Sequence, residues 1–262
     1  MVLMDAHVHV YPGVDVAGLL SAAAREFQKT SERLSAVRWR AVLFLTETAS
    51  VDWFESVVAS GGATAIGPWT LALGPDDSLR IEASGGGLTL DIIAGRQIVT
   101  AERIEVHALG TRAKIPDGMD LSPTIAAIHA VDALAVLPWG VGKWLGARRA
   151  LIKGILSSTS DVYLSDNGGR PGFWRESLLA RARLEGKPVL SGTDPLPLPA
   201  EEYRVGRFGC WLSEDSADRC ATPQLLARIR SSKAGEIEHY GRPETALRFV
   251  GNQVALRVRR HL

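Results

Sequence analysis

An α/β fold built around a parallel sheet is the fold class this sequence predicts, on three observations. Strand-like and helix-like stretches alternate along most of the chain, the order that right-handed crossovers between parallel strands require. Residues 41–45 and 134–137 are near-continuous apolar runs, as strands covered on both faces are. The length of 262 residues allows two small domains, but it is also one at which α/β barrels form a single domain. A single domain over residues 1–262 is expected, since no internal repeat, low-complexity tract or flexible linker interrupts it.

The first strand occupies residues 2–10. With a period of two, Val2, Met4, Ala6, Val8 and Val10 form an apolar face suited to helices, and Asp5, His7 and His9 fall on the other. The imidazoles at i and i+2 then point the same way at the strand's C-terminal end, close enough to share a metal ion. Tyr11-Pro12-Gly13 stops the strand. Residues 14–40 have helical period, with Asp15 placed to cap the start and Val16, Leu19, Leu20, Ala23, Phe27, Leu34 and Val37 as the apolar stripe. The strand at 41–45 ends in Thr46-Glu47-Thr48, and residues 51–60 suit a short helix.

Residues 69–95 break the alternation. Trp69 to Leu73, the turn Gly74-Pro75-Asp76-Asp77, a second run at 79–83, Gly85-Gly86-Gly87 and a third run at 88–93 predict an antiparallel meander. It takes the place of one strand-helix unit, either as a structural rim or as a lid. Residues 104–109 repeat the logic of the first strand, with Ile104, Val106 and Ala108 on one face and Glu105 and His107 on the other. A carboxylate beside an imidazole is costly to bury unless paired or coordinating. His107 is therefore the candidate third histidine, a hydrogen-bonded core histidine being the plain alternative. Helices follow at 120–131, from Trp144 to about 156, and at 173–184 with Gly186 as the stop. Strands at 134–137, 161–164 and 188–193 follow these three helices in turn. Pro195-Leu196-Pro197-Leu198-Pro199 is a stiff connector, and helices at 222–231 and 243–260 pack on the outside.

Two of these stretches resemble a known family. Asp5-Ala6-His7-Val8-His9 resembles the Asp-x-His-x-His opening of the amidohydrolase superfamily, and Leu190-Ser191-Gly192-Thr193-Asp194-Pro195 is similar to its last metal-site strand. The PHP (polymerase and histidinol phosphatase) family opens similarly, but tends to place a histidine two residues after the aspartate, where this chain has Leu196. The resemblance implies a TIM-like (β/α) barrel, distorted by the meander, with its site at the C-terminal strand ends. About seven strands fit such a barrel once the meander is set aside.

The resemblance also implies a hydrolase. A divalent metal, zinc first and manganese or iron nearly as well, would be held by His7, His9 and Asp194, with His107 as a further ligand. Asp194 would be the catalytic residue that orients an activated water toward a carbonyl-type centre. Glu47, Trp139, Asp166 and Asn167, at strand ends, and Lys143, in the segment after one, are substrate-binding candidates. The central strands lack the family's two further histidines, and Lys143 and Lys153 lie beyond strand ends, so a mononuclear site is expected. Two alternatives stay open: a PHP-like phosphoesterase using Lys143 and Arg170, and a catalytically degenerate barrel that binds ligands or partners, with Trp139 and Trp144 as an aromatic wall.

The net charge of +1 and 23% charged residues give no pull toward nucleic acid or an anionic membrane. Only residues 257–261 are locally basic. Cys210 and Cys220 form no metal motif or disulfide framework and suit a reducing compartment. A first strand beginning at Val2 leaves no room for a signal peptide, and no apolar stretch approaches membrane-spanning length. The expectation is a cytoplasmic protein acting on a small-molecule substrate, with a homo-oligomer compatible.

Overall fold

The computed structural model describes residues 1–213 and 220–259. Strand β1 (Val2–Val8) is buried along its whole length and runs parallel to β2 (Arg40–Leu45). The helix between them, α1 (Val16–Arg33), starts where Asp15 accepts a hydrogen bond from the Gly18 amide at 2.9 Å. It stops well short of residue 40, because Ser35 takes a left-handed backbone (φ 53). Helix α2 (Trp53–Ala59) leads to β3 (Thr64–Ile66), β4 (Trp69–Gly74), β5 (Asp77–Gly85) and β6 (Leu88–Ile93). The last three form the expected meander with its turns in place. β6, however, pairs parallel with β2, so the meander continues the main sheet rather than standing outside it.

The second half holds β7 (Gly95–Val99), β8 (Glu105–Leu109), α3 (Leu121–His129), β9 (Leu134–Pro138), α4 (Gly146–Ser158), β10 (Val162–Asn167), α5 (Ser177–Leu184) and β11 (Val189–Gly192). After a short 3-10 turn at Glu202–Arg204 come β12 (Gly209–Leu212), α6 (Thr222–Ser231), β13 (Ile237–Tyr240) and α7 (Ala246–Arg259). Helices α6 and α7 fall within the two stretches expected to be helical, 222–231 and 243–260, whereas β12 and β13, which precede them, were not expected. The basic end of the second stretch, Arg260 and His261, lies outside the described residues.

The closed TIM-like barrel is not what forms. Among the described residues the strands make an eight-stranded sheet, β13-β12-β1-β2-β6-β5-β4-β3, and a five-stranded sheet, β11-β10-β9-β8-β7. Two features prevent a single parallel ladder. β8 runs antiparallel to both its neighbours, and β12 and β13 add antiparallel pairing beyond β1. The sheets meet at two seams where glycine allows backbones to approach. A Cβ on Gly192 would collide with the His7 backbone nitrogen, and one on Gly95 with the Leu45 carbonyl. At the first seam the Asp194 amide donates to the His7 carbonyl at 2.9 Å. At the second, Glu47 and Arg96 form an isolated parallel bridge.

Three apolar clusters follow from this arrangement. One lies between the sheets, joining Val2, Met4, Ala6, Val42 and Phe44 to Leu134, Val136, Tyr163 and Leu190, with Leu225, Leu226 and Ile229 of α6. A second packs α1 and the meander on the first sheet, and a third packs α3 to α5 on the second. Burial of this extent is the dominant favourable contribution to folding.

The two faces of β1 change over along the strand. Val2, Met4 and Ala6 face the other sheet, whereas Leu3, Val8 and Val10 pack with α1. The cause is a register shift between Asp5 and Val8, where three steps of β1 match two of β2. Such a bulge re-aims the side chains that follow it. The strict alternation expected over residues 2–10 therefore fails, and the bulge is what turns His7 and His9 inward.

Candidate metal centre

His7 and His9 leave the end of β1, and Asp194 follows two residues after β11. The Nε2 atoms of His7 and His9 are 3.0 Å apart. Asp194 Oδ1 lies 3.3 Å from the first and 3.5 Å from the second. These three form the group of potential metal ligands found among the described residues. A triangle with those sides has a centre about 1.9 Å from each corner, close to the ~2.0–2.1 Å of a zinc–nitrogen bond. Without a cation, two imidazoles facing each other and one carboxylate oxygen would have to share at most one or two protons. The donor set therefore fits a divalent ion.

The surroundings suit that use. Burial pulls His7 down to about 3, with His9 and Lys143 opposing its charged form and Asp194 favouring it. The ring is thus neutral near pH 7 and offers a lone pair. Thr46 Oγ1, at the end of β2, lies 3.5 Å from His9 Nδ1 and donates to the Val8 carbonyl at 3.2 Å. Removal from water pushes the Asp194 carboxyl up, but His7, His9 and the Asn167 amide outweigh it and hold the group below its usual range. Asn167 Nδ2 donates to Asp194 Oδ2, while its own Oδ1 accepts from Gly169 at 2.6 Å. Asp194 also carries a left-handed backbone (φ 50), a conformation that aspartate tolerates better than most residues.

Asp5 is the brace behind the ligands. It is fully buried, and its carboxylate accepts from the amides of Thr193 (2.9 Å), Gly206 (2.9 Å) and His7 (3.2 Å) and from Thr193 Oγ1 (2.5 Å). Burial raises its pKa to about 6 against the pull of these four bonds. The bulge, β11 and the segment after Arg204 are thereby tied to one side chain.

The remaining sequence candidates are placed as follows. His107 is not among the convergent donor atoms. Its ring stands edge-on to His7, centroids 4.2 Å apart, and its Nε2 is 3.3 Å from Gln97 Oε1. The Nδ1 atoms of both His7 and His107 are buried without a hydrogen-bond partner. Glu47 is turned away: its Oε1 accepts from the Phe54 amide at 2.8 Å, capping α2, and its Oε2 is 3.3 Å from Arg96. Asp166 is held bidentately by Arg170, at 2.7 Å for each bond. Lys143 pairs with Glu105. Trp139 and Trp144 are buried in the cluster beneath α3 to α5, so they make no aromatic wall. Of the substrate-binding candidates, Asn167 alone touches the triad, through Asp194.

The cleft beside the triad comes from stretches that sequence reasoning treated as punctuation. His9 borders a cavity of about 220 Å³ walled by Tyr11-Pro12-Gly13-Val14, by the segment from Pro195 to Pro199, and by Glu202. The Tyr11 ring lies 5.1 Å from that of His9. The available signal was adjacency: one wall begins two residues after His9 and the other one residue after Asp194.

No family model and no curated protein matches the chain, so the amidohydrolase resemblance stands on its two motifs. Among solved structures, PsfC from Pseudomonas syringae PB-5123 is similar over 97% of this chain and 97% of its own, at 15% identity and a TM-score of 0.54. The novel lesion-specific endonuclease PfuEndoQ from Pyrococcus furiosus is similar over 90% of this chain, at 10% identity and a TM-score of 0.50. The present chain spans 57% of that endonuclease. At these identities the likeness is one of fold. Among the described residues no helix is long and apolar enough to cross a membrane.

Proposed function

We propose that this chain is a metal-dependent hydrolase with a mononuclear centre formed by His7, His9 and Asp194, acting on a carbonyl-type bond. The observation that carries the proposal is the convergence of two imidazole nitrogens and one carboxylate oxygen within 3.5 Å of each other. A divalent cation held there would supply Lewis acidity and a water acidic enough to attack near neutral pH. Zinc is the first choice for two imidazoles and a carboxylate, with manganese and iron next.

The chain's own residues divide the remaining work. His7 presents a neutral ring, and Thr46 sits behind His9. Asp194 stays ionised and is steadied by Asn167, which suits a ligand better than a strong base. Tyr11 lines the same cleft as His9, with its ring 5.1 Å away and a phenol that burial keeps protonated, so it can donate to a substrate oxygen as negative charge develops there. Hydrolysis adds one water across the bond: the carbonyl carbon gains the hydroxyl, and the departing nitrogen or oxygen gains the proton.

A second reading, hydrolysis of a phosphate ester, is favoured by the fold shared with the endonuclease. Against it, no lysine or arginine borders the cleft among the described residues, whereas phosphoryl chemistry draws on cationic clamps. Elemental analysis of untagged protein separates both readings from a non-catalytic one. About one zinc, manganese or iron per chain, lost in His7→Ala/His9→Ala, is the expected result. A wild-type chain that takes up no metal from any of these ions would overturn the proposal.

A further inference from the structure

The cleft beside His9 has a chemistry that narrows its occupant. At about 220 Å³ it falls below the range of ~300–1,000 Å³ that drug-sized ligands fill. Pro12, Pro195, Pro197 and Pro199 line it, and proline's fixed φ gives walls that need little ordering on binding. The apolar lining is relieved by two polar groups besides His9: the Tyr11 phenol and the Glu202 carboxylate. Neither has a hydrogen-bond or ion-pair partner among the described residues, although most carboxylates near this end of the fold are paired. Glu201, beside Glu202 in sequence, is bound by Arg204 and Arg248, and Glu105 by Lys143. The cleft thus holds one uncompensated negative side chain away from the triad and a hydroxyl donor next to it.

We infer that the substrate is a compact molecule with a protonated amine seated on Glu202 and its hydrolysable carbonyl-type group at the Tyr11 and His9 end. The inference rests on the hydrolase reading above for the second half of that statement, while the first half stands on the cleft alone. A carboxylate or phosphate at the same position would meet Glu202 with no cation to offset it. A neutral isostere would leave the carboxylate's desolvation uncompensated. A hydrogen bond to a charged group discriminates by about 10- to 100-fold.

The test uses the full chain and four simple probes: n-butylammonium, butyramide, butyrate and inorganic phosphate. Binding is followed by calorimetry with zinc present and again with chelator in excess, for the wild type and for Glu202→Gln. Butylammonium is expected to bind at least tenfold more tightly than butyramide and butyrate in both conditions, with phosphate weakest. Glu202→Gln should remove that preference while leaving the unfolding midpoint unchanged. A preference for butyrate or phosphate, a preference that survives Glu202→Gln, or binding of none of the probes would overturn the inference. Metal content is measured on the same samples. Metal uptake without cation preference sinks the inference and leaves the hydrolase reading intact, and cation preference without metal uptake does the reverse.

Discussion

Asp194 and Asn167 form a pair in which the amide fixes one carboxylate oxygen so that the other can aim at the two imidazoles. Outer partners of metal ligands commonly account for 10- to 100-fold in affinity. Asn167→Ala is accordingly expected to weaken zinc binding by about that range, read by competition with a chromogenic chelator, with little change in the stability of the metal-free protein. An unchanged affinity would show that the left-handed backbone at Asp194 orients the carboxylate unaided. Asp5 has the opposite signature. Asp5→Ala strands three buried amides and a hydroxyl, and the loss is expected to be about 3 kcal/mol or more in urea unfolding. Asp5→Asn, which keeps an acceptor, should lose less. Equal and small losses for both would mean that the brace is dispensable.

Among the elements, the bulge in β1 and the close seam at Gly192 work together. The bulge rotates His7 and His9 inward, and Gly192 lets β11 approach until Asp194 reaches them. Gly192→Ala is expected to destabilise the chain by more than 2 kcal/mol and to abolish metal uptake, because the new methyl collides with backbone rather than with a flexible side chain. Gly13→Ala is a control at a position with open space, though with left-handed backbone, and should keep its metal.

The candidate ligands could be picked out in the sequence because His7, His9 and Asp194 sit in short motifs whose chemistry is local. Their geometry could not. One extra residue in a strand inverts every later side chain, and nothing in Val2 to Val10 announces it. Residues 104–109 were recognisable as a strand, but apolar alternation carries no direction, so the antiparallel course of β8 was hidden, and His107 was read as a further ligand where its ring packs edge-on against His7. Strands β12 and β13, four residues each, are too short for periodicity to declare. The aromatic wall that Trp139 and Trp144 offered as an alternative could not be decided from sequence, because a buried indole and a ligand-facing one look alike there.

At the scale of the whole molecule, the end of the fold away from the triad is closed by charge as well as by α6. Asp91 is fully buried and accepts from Arg40 Nε at 2.5 Å, with Arg80 Nε 3.8 Å away. Asp77 accepts from the Thr222 amide at 2.6 Å, fastening the start of α6 to the meander. Removing one member of a buried ion network typically costs about 3–5 kcal/mol, because charges are left unpaired. Asp91→Ala should fall in that range in a chemical unfolding curve while the metal stoichiometry of the remaining folded protein is retained. A loss below about 1 kcal/mol would show that water reaches the two guanidinium groups.

The placement of the three ligands joins the first strand to a residue nearly two hundred positions later. A cation bound there acts as a cross-link that the unfolded chain cannot hold with comparable geometry. Occupancy and unfolding then become one linked equilibrium, and a free metal concentration 100 times the dissociation constant adds about 2.7 kcal/mol. The melting temperature should therefore climb with the logarithm of metal concentration, and it should do so in any variant that keeps the triad, whether or not that variant turns over a substrate. If the triad holds a metal, the fraction of this chain that stays folded would follow the free ion concentration through that same linkage.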